Sequence, residues 1–162
     1  MTIEESEINT DQSRQFSTFY IADRLYGIDV MKVQEVTRAL PMSRVPLAPN
    51  YVHGLINLRG QISTAIGLRE LFELTDKTPE VQMNVVCRAG DLLLSFMVDR
   101  IGDVMEVPQK DFEVTPDTIP DNVRRFMGGV YKIPGTLLSI LEIEKITEII
   151  TQSSSDLPPN NP

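Results

Sequence analysis

Residues 51–72 read YVHGLINLRGQISTAIGLRELF, and the fold is decided here. Two apolar runs, GLINL at 54–58 and ISTAI at 62–66, flank Arg59-Gly60. Such runs read as strands, and the dipeptide between them as a tight hairpin turn. Gly60 fits the turn position that needs φ > 0, where a residue without a Cβ meets no clash. Arg59 has no comparable explanation. A turn does not require arginine, and no run of charge surrounds it. Arg59 is therefore the most informative residue in the chain.

The pattern recurs downstream. Gly54, Leu55, Leu58, Gly60, Ile62, Ile66 and Leu68 match Gly129, Val130, Ile133, Gly135, Leu137, Leu141 and Ile143 at a constant offset of 75. Earlier in the chain, Val30, Val33 and Val36 match Val98, Ile101 and Val104 at an offset of 68. The difference is a longer loop in the second half, at 115–125, where Pro116 and Pro120 lie. Matching positions are apolar or glycine, as packing and turns require. Arg59 falls opposite Pro134, and proline followed by glycine is what a type II turn prefers at its two central positions. The second half thus carries the residue that suits the turn and the first half does not.

The repeat predicts two units of about 70 residues, each rich in short strands. Units that small and that β-rich close, or nearly close, into barrels, which removes exposed strand edges. Two barrels side by side leave a crevice as a binding surface. Residues 1–14 are acidic, with little to bury, and read as a disordered tail. Residues 16–21 and 25–30 read as paired strands with a turn at Asp23-Arg24, and Gly27 marks a bulge or close approach. Val30, Val33 and Val36 are spaced for a single helical turn. Pro41, Pro46 and Pro49 make the next stretch irregular. Leu68, Leu71 and Phe72 give a short helix, and residues 75–80 connect the halves. Strands at 81–88 and 92–98, a second hairpin closed by Pro134-Gly135, and a helix at 141–150 follow. The tail from 151 is low-complexity and reads as disordered. These readings divide the chain into a tail (1–14), a first barrel (about 15–78), a second barrel (about 79–150, with ends free to exchange between barrels) and a tail (151–162).

Composition narrows the function. At 162 residues with 41% hydrophobic content, the chain can bury a core without disulfides or metal. A net charge of −8 repels phosphate backbones and anionic bilayers, which argues against nucleic acid or direct membrane insertion. The lone Cys87 sits in an apolar run and reads as a buried structural thiol. The N-terminus lacks the basic and apolar regions of a secretory signal. The longest apolar stretch, at 92–98, is far short of a membrane span. These features point to a soluble cytoplasmic protein.

With YGIDVMKVQEV at 26–36, GLINLRG at 54–60 and MVDRIGDV at 97–104 in the right order and spacing, the sequence resembles the CheW-type chemotaxis coupling proteins over residues 16–150. The resemblance implies two SH3-like (OB-like) five-stranded β-barrel subdomains packed side by side, with short helices including one near the C-terminus. It implies a non-enzymatic adaptor linking the cytoplasmic tips of chemoreceptors (methyl-accepting chemotaxis proteins) to the regulatory domain of the chemotaxis histidine kinase. The setting would be the cytoplasmic face of membrane-associated arrays. By the same resemblance, Val33, Glu35, Gly54, Arg59 and Gly60 occupy positions that contact receptor or kinase. Two departures stand out: Thr64-Ala65-Ile66-Gly67-Leu68-Arg69 lacks the proline and aspartate common in the family, and Leu141-Glu142 replaces Leu-Asp. An adaptor of a non-motility chemosensory pathway is the alternative these departures raise.

Chemistry of other kinds finds no support. His53 alone makes no His-rich metal site and has no nucleophile to activate, so neither a cofactor nor a metal is expected. Asp99/Asp103 and Glu142/Glu144 are acidic pairs of the sort that 23 acidic residues produce by chance. Gly128-Gly129 lacks the lysine of a phosphate loop. A ligand-binding β-barrel for oligonucleotide or saccharide would need stacking platforms, and the chain has no Trp and 6% aromatic residues.

Overall fold

A computed structural model describes residues 12–155. The chain is mainly β. In order come β1 (Ser13–Ile21), β2 (Arg24–Asp29), a 3-10 turn (Val30–Lys32), β3 (Val33–Arg38), β4 (Val52–Leu58), β5 (Gln61–Gly67), helix α1 (Leu68–Leu71), β6 (Met83–Ala89) and β7 (Leu92–Val98). Then follow β8 (Arg100–Pro108), a second 3-10 turn (Gln109–Asp111), β9 (Phe112–Glu113), helix α2 (Asp121–Arg124), β10 (Met127–Ile133), β11 (Thr136–Leu141) and helix α3 (Ile143–Ser155). The strands form a six-stranded sheet, β8-β1-β2-β11-β10-β9, and a five-stranded sheet, β3-β6-β7-β5-β4.

The repeat is visible in the pairing. The hairpin β1–β2 turns at Ala22-Asp23 and its counterpart β6–β7 at Gly90-Asp91, in keeping with the offset of 68. The hairpins β4–β5 and β10–β11 correspond at 75, down to a bulge after Val52 in one and after Met127 in the other. Each long hairpin joins the other kind through one parallel pair, β2 with β11 and β5 with β7.

The sheets do not follow the halves 15–78 and 79–150. Each takes strands from both: β1 and β2 join β8–β11, β3, β4 and β5 join β6 and β7, and the outer exchanges are β3 to β6 and β8 to β1. The exchange buries edges that a sequential division would leave open. Other boundaries shift for local reasons. The helical turn predicted from Val30 to Val36 ends at Lys32, where β6 captures the chain as β3. The predicted N-terminal tail loses Ser13 and Arg14, which pair with Pro108 and Val107. Residues 1–11 of that tail lie outside the described residues, as do 156–162 of the other. The larger sheet gains a sixth strand in the two-residue β9.

Three apolar clusters fill the molecule. Phe16, Leu25, Val107, Tyr131, Leu138 and Ile140 line one side of the larger sheet. Ile56, Leu58, Ala65, Val86 and Leu93 line one side of the smaller. The largest cluster joins the two, with Phe19, Ile21, Tyr26 and Ile28 from β1–β2 against Ile66, Val85, Cys87 and Phe96 from β5–β7. Strands covered on both faces need apolar residues at consecutive positions, which explains runs such as NVVC and LLLSFMV. Phe19, Tyr26, Phe72 and Phe126 form a chain of rings with centroid spacings of 6.1, 5.5 and 5.7 Å across this shared core.

At its rim lies a buried ion pair. Arg69 on α1 grips Asp99 with Nε to Oδ1 at 2.9 Å and a terminal nitrogen to Oδ2 at 2.6 Å. Asp99 also accepts from the Ala22 amide at 2.8 Å and, at 3.4 Å, from Gln82. A single carboxylate thus ties the β1–β2 turn, α1, the entry to β6 and the β7–β8 junction together. Burial alone would raise the Asp99 pKa, but the hydrogen bonds from Arg69 and Ala22 and the Arg69 charge outweigh it, so the pKa is lowered from 3.8.

Both sequence departures have a steric partner. A Cβ on Gly67 would collide with the Glu70 carboxylate and with His53 Nε2, so these two side chains, 3.1 Å apart, occupy that space. In the second half the large and small positions are exchanged: Glu142 stands opposite Gly67 in the repeat and packs over Gly128, which stands opposite His53.

Two predictions follow from this packing. Because Asp99 has a depressed pKa in the folded state, its contribution is complete above the ordinary value of 3.8 and is lost as pH falls through the folded value. Asp99→Asn should cost about 3 kcal/mol in urea unfolding at pH 7 and should flatten the loss of stability of the parent below about pH 4. Gly54 sits at the β4 bulge, where a Cβ would lie 2.7 Å from the Ser43 carbonyl oxygen. Gly54→Ala should therefore destabilise by roughly 2 kcal/mol, measured the same way.

Candidate functional site

The β4–β5 turn is not a copy of its counterpart. Arg59 has φ 49° and Gly60 φ 88°. Positive φ at both central positions is the type I′ pattern that suits hairpin twist and favours Asn-Gly. In the second half only Gly135, at 83°, is positive, and Pro134 is held negative by its ring. Arg59 therefore adopts a left-handed conformation that an L side chain with a Cβ disfavours. Gly60 is exposed, with open space around it, and its amide donates to Asn57 Oδ1 at 2.9 Å. Gly60 belongs to the turn.

Arg59 reaches Glu35 on β3 with a terminal guanidinium nitrogen, bringing together two predicted site residues that lie 24 apart in sequence. The geometry is asymmetric. The Arg59 side chain is 73% exposed and the Glu35 side chain 20%. Glu35 Oε2 takes the guanidinium, while Oε1 is buried and has no hydrogen-bond partner. Glu35 pairs in register with Val86, a member of the cluster inside the smaller sheet, so its carboxylate stands at the edge of that cluster. β3 and β4 are the two outer strands of this sheet, and the pair links the first to the turn that follows the second.

The surface around the pair mixes apolar and polar groups. Arg88 on β6 donates to Gln34 at 3.2 Å and to Gln61 at 3.1 Å. Ile62 at the start of β5 and Leu92 at the start of β7 are both exposed. Val36 is exposed on the face of β3 opposite Glu35. Exposed branched residues beside a charged pair are what a protein interface presents.

The remaining predicted residues separate. Val33 is half-buried and packs against the shared core next to Cys87. Gly54 is buried beneath the chain at Ser43, which pairs with Leu55, so it has a packing role for the steric reason given above. Sequence reading missed Ile62 and Leu92, since an apolar residue in a strand reads as core until the sheet face is known. It also read Asp99 with Asp103 as a chance acidic pair. The partner, Arg69, lies 30 residues away with no local signal.

Burial pushes the Cys87 thiol up to about 12, which makes it inert. No cluster of three or more His, Cys, Asp or Glu able to hold a metal occurs among the described residues. No helix among them is long and apolar enough to cross a membrane.

Residues 15–150 match the family model of the CheW-like domain. The chain is 32% identical over 139 residues to the chemotaxis protein CheW of Helicobacter pylori, covering 85% of this chain and 84% of the relative. It is 33% identical over 141 residues to CheW of Treponema pallidum, covering 84% and 83%. In fold it is similar to the scaffolding protein TtCheW of Thermoanaerobacter tengcongensis, with a TM-score of 0.73 over 82% of this chain and 86% of that one at 23% identity. The interlocked pair of sheets and the family match over residues 15–150 place the chain in the CheW family of chemotaxis proteins.

Proposed function

We propose that this CheW-family protein is a non-enzymatic adaptor that couples chemoreceptors to the chemotaxis histidine kinase, and that Arg59 and Glu35 form the centre of one partner contact. The observation that carries the contact is the Arg59 backbone. A left-handed arginine at a turn that would accept Asn at lower cost is retained for its side chain, and that side chain is held outward by a half-buried carboxylate. Exposed Ile62, just past the turn on β5, supplies apolar area beside the charged centre, with Val33 and Gly60 shaping its border. The kinase regulatory domain and the cytoplasmic tips of receptors are the partners, met in the cytoplasm at membrane-associated arrays. The alternative of a non-motility pathway uses the same contact, and no feature of the site favours it.

Co-sedimentation with receptor cytoplasmic fragments, with and without the kinase, tests the reading. A protein that joins neither is not a coupling protein. Arg59→Asn keeps a residue suited to positive φ, so thermal unfolding should stay at or above that of the parent while affinity falls roughly thirtyfold. The exchange Glu35→Arg with Arg59→Glu keeps an internal ion pair but inverts the charge presented. It should remain folded and fail to bind. Parental binding by this double variant would reduce the pair to a structural role.

A further inference from the structure

The loop between β3 and β4 contains another residue at odds with its turn. Ala48 donates its amide to the Val45 carbonyl at 3.4 Å, closing a turn with Pro46 and Leu47 at its centre. Leu47 has φ 63°. Proline followed by a residue of positive φ is the type II arrangement, whose second central position belongs to glycine or asparagine. The chain builds that arrangement with glycine at Pro134-Gly135, where φ is 83°. At Pro46-Leu47 it accepts a strained leucine, and that leucine is 93% exposed. The residue gains no burial in return for its strain. A second turn from Pro49 to Val52, closed at 3.0 Å, fixes the base of the loop, so the leucine is presented from an ordered support.

The surroundings define what it meets. Met42 and Val45 are also exposed, at 40% and 38%, and the loop walls a cleft floored by Val52, His53 and Glu70. In a chain of net charge −8, residues 36–69 contain no Asp or Glu and four arginines. Arg69 is buried on Asp99 and Arg59 is paired with Glu35, whereas Arg38 and Arg44 are exposed with no acidic partner among the described residues. The loop therefore combines an apolar tip with unpaired positive charge in a molecule that is otherwise acidic. An anionic bilayer would be repelled by the rest of the surface, and three apolar side chains are few for membrane insertion. A protein surface can be acidic locally and can supply one pocket of leucine size.

We infer that the loop around Leu47 is a second docking element of the adaptor, which inserts Leu47 into an apolar pocket rimmed by acidic side chains on a protein partner, with Arg44 and Arg38 facing that rim. The inference rests on the adaptor reading and adds to it an anchor separate from Arg59. Leu47→Asn relieves the strain and removes the anchor. With the full chain, Tm should be unchanged or higher, while affinity in co-sedimentation with the kinase and receptor fragments falls at least about tenfold. Arg44→Glu should weaken the same complex, more at low salt than at high. Leu47→Asn and Arg44→Glu proteins that both bind as the parent does, in an assay where Arg59→Asn is impaired, would overturn the inference and leave the adaptor reading standing. A parent that joins neither partner would overturn both. Pelleting of the parent with phosphatidylserine-containing vesicles, abolished by Leu47→Asn, would assign the loop to a membrane surface instead and overturn the protein partner.

Discussion

Asp99 accepts hydrogen bonds from a guanidinium, a backbone amide and a side-chain amide drawn from three separate parts of the chain. Few positions in the molecule are so constrained. The carboxylate lies at the junction of β7 and β8, the point at which the chain leaves one sheet for the other. Arg69 comes from α1, directly after the hairpin that carries Arg59. A planar, bidentate pair fixes direction as well as distance, which a contact between apolar side chains does not. The two sheets are thereby held in one orientation around their shared core, and surfaces on either sheet keep fixed positions relative to each other.

The exchange of β3 and β8 between sheets serves the same end. If each half folded on itself, the molecule would be two barrels in contact, able to rotate about a linker. Because each sheet contains strands from both halves, relative motion would break ladder hydrogen bonds along β3–β6 and β1–β8. The largest apolar cluster lies between the sheets and belongs to neither half alone. The same interlock explains why positions in the repeat that differ, such as His53 over Gly67 and Glu142 over Gly128, fill equivalent space with the large residue on alternate sides.

Arg59 and Leu47 share a physical signature. Each occupies a turn position where positive φ favours glycine or asparagine, each is largely exposed, and neither gains core burial. Turn chemistry supplies a reference against which a misplaced side chain is visible, because the backbone requirement is known independently of function. The repeat sharpens that reference by showing the same type of chain building its other turn with Pro134-Gly135.

The sequence by itself determined the hairpins, the repeat at offsets of 68 and 75, the mainly β class, the turn glycine at 60 and the anomaly at Arg59. These are local matters: strand runs, turn residues and periodicity act over a few positions, and a duplicated pattern is legible without coordinates. Only the tertiary structure decided which strands share a sheet, since β3 carries no mark of pairing with β6 rather than with its own half. It alone brought Glu35 to Arg59 and Asp99 to Arg69, across 24 and 30 residues, because long-range pairing depends on the exchange of strands. It also showed a steric requirement at Gly54, as the clash involves a carbonyl at Ser43 that the sequence places in an irregular loop.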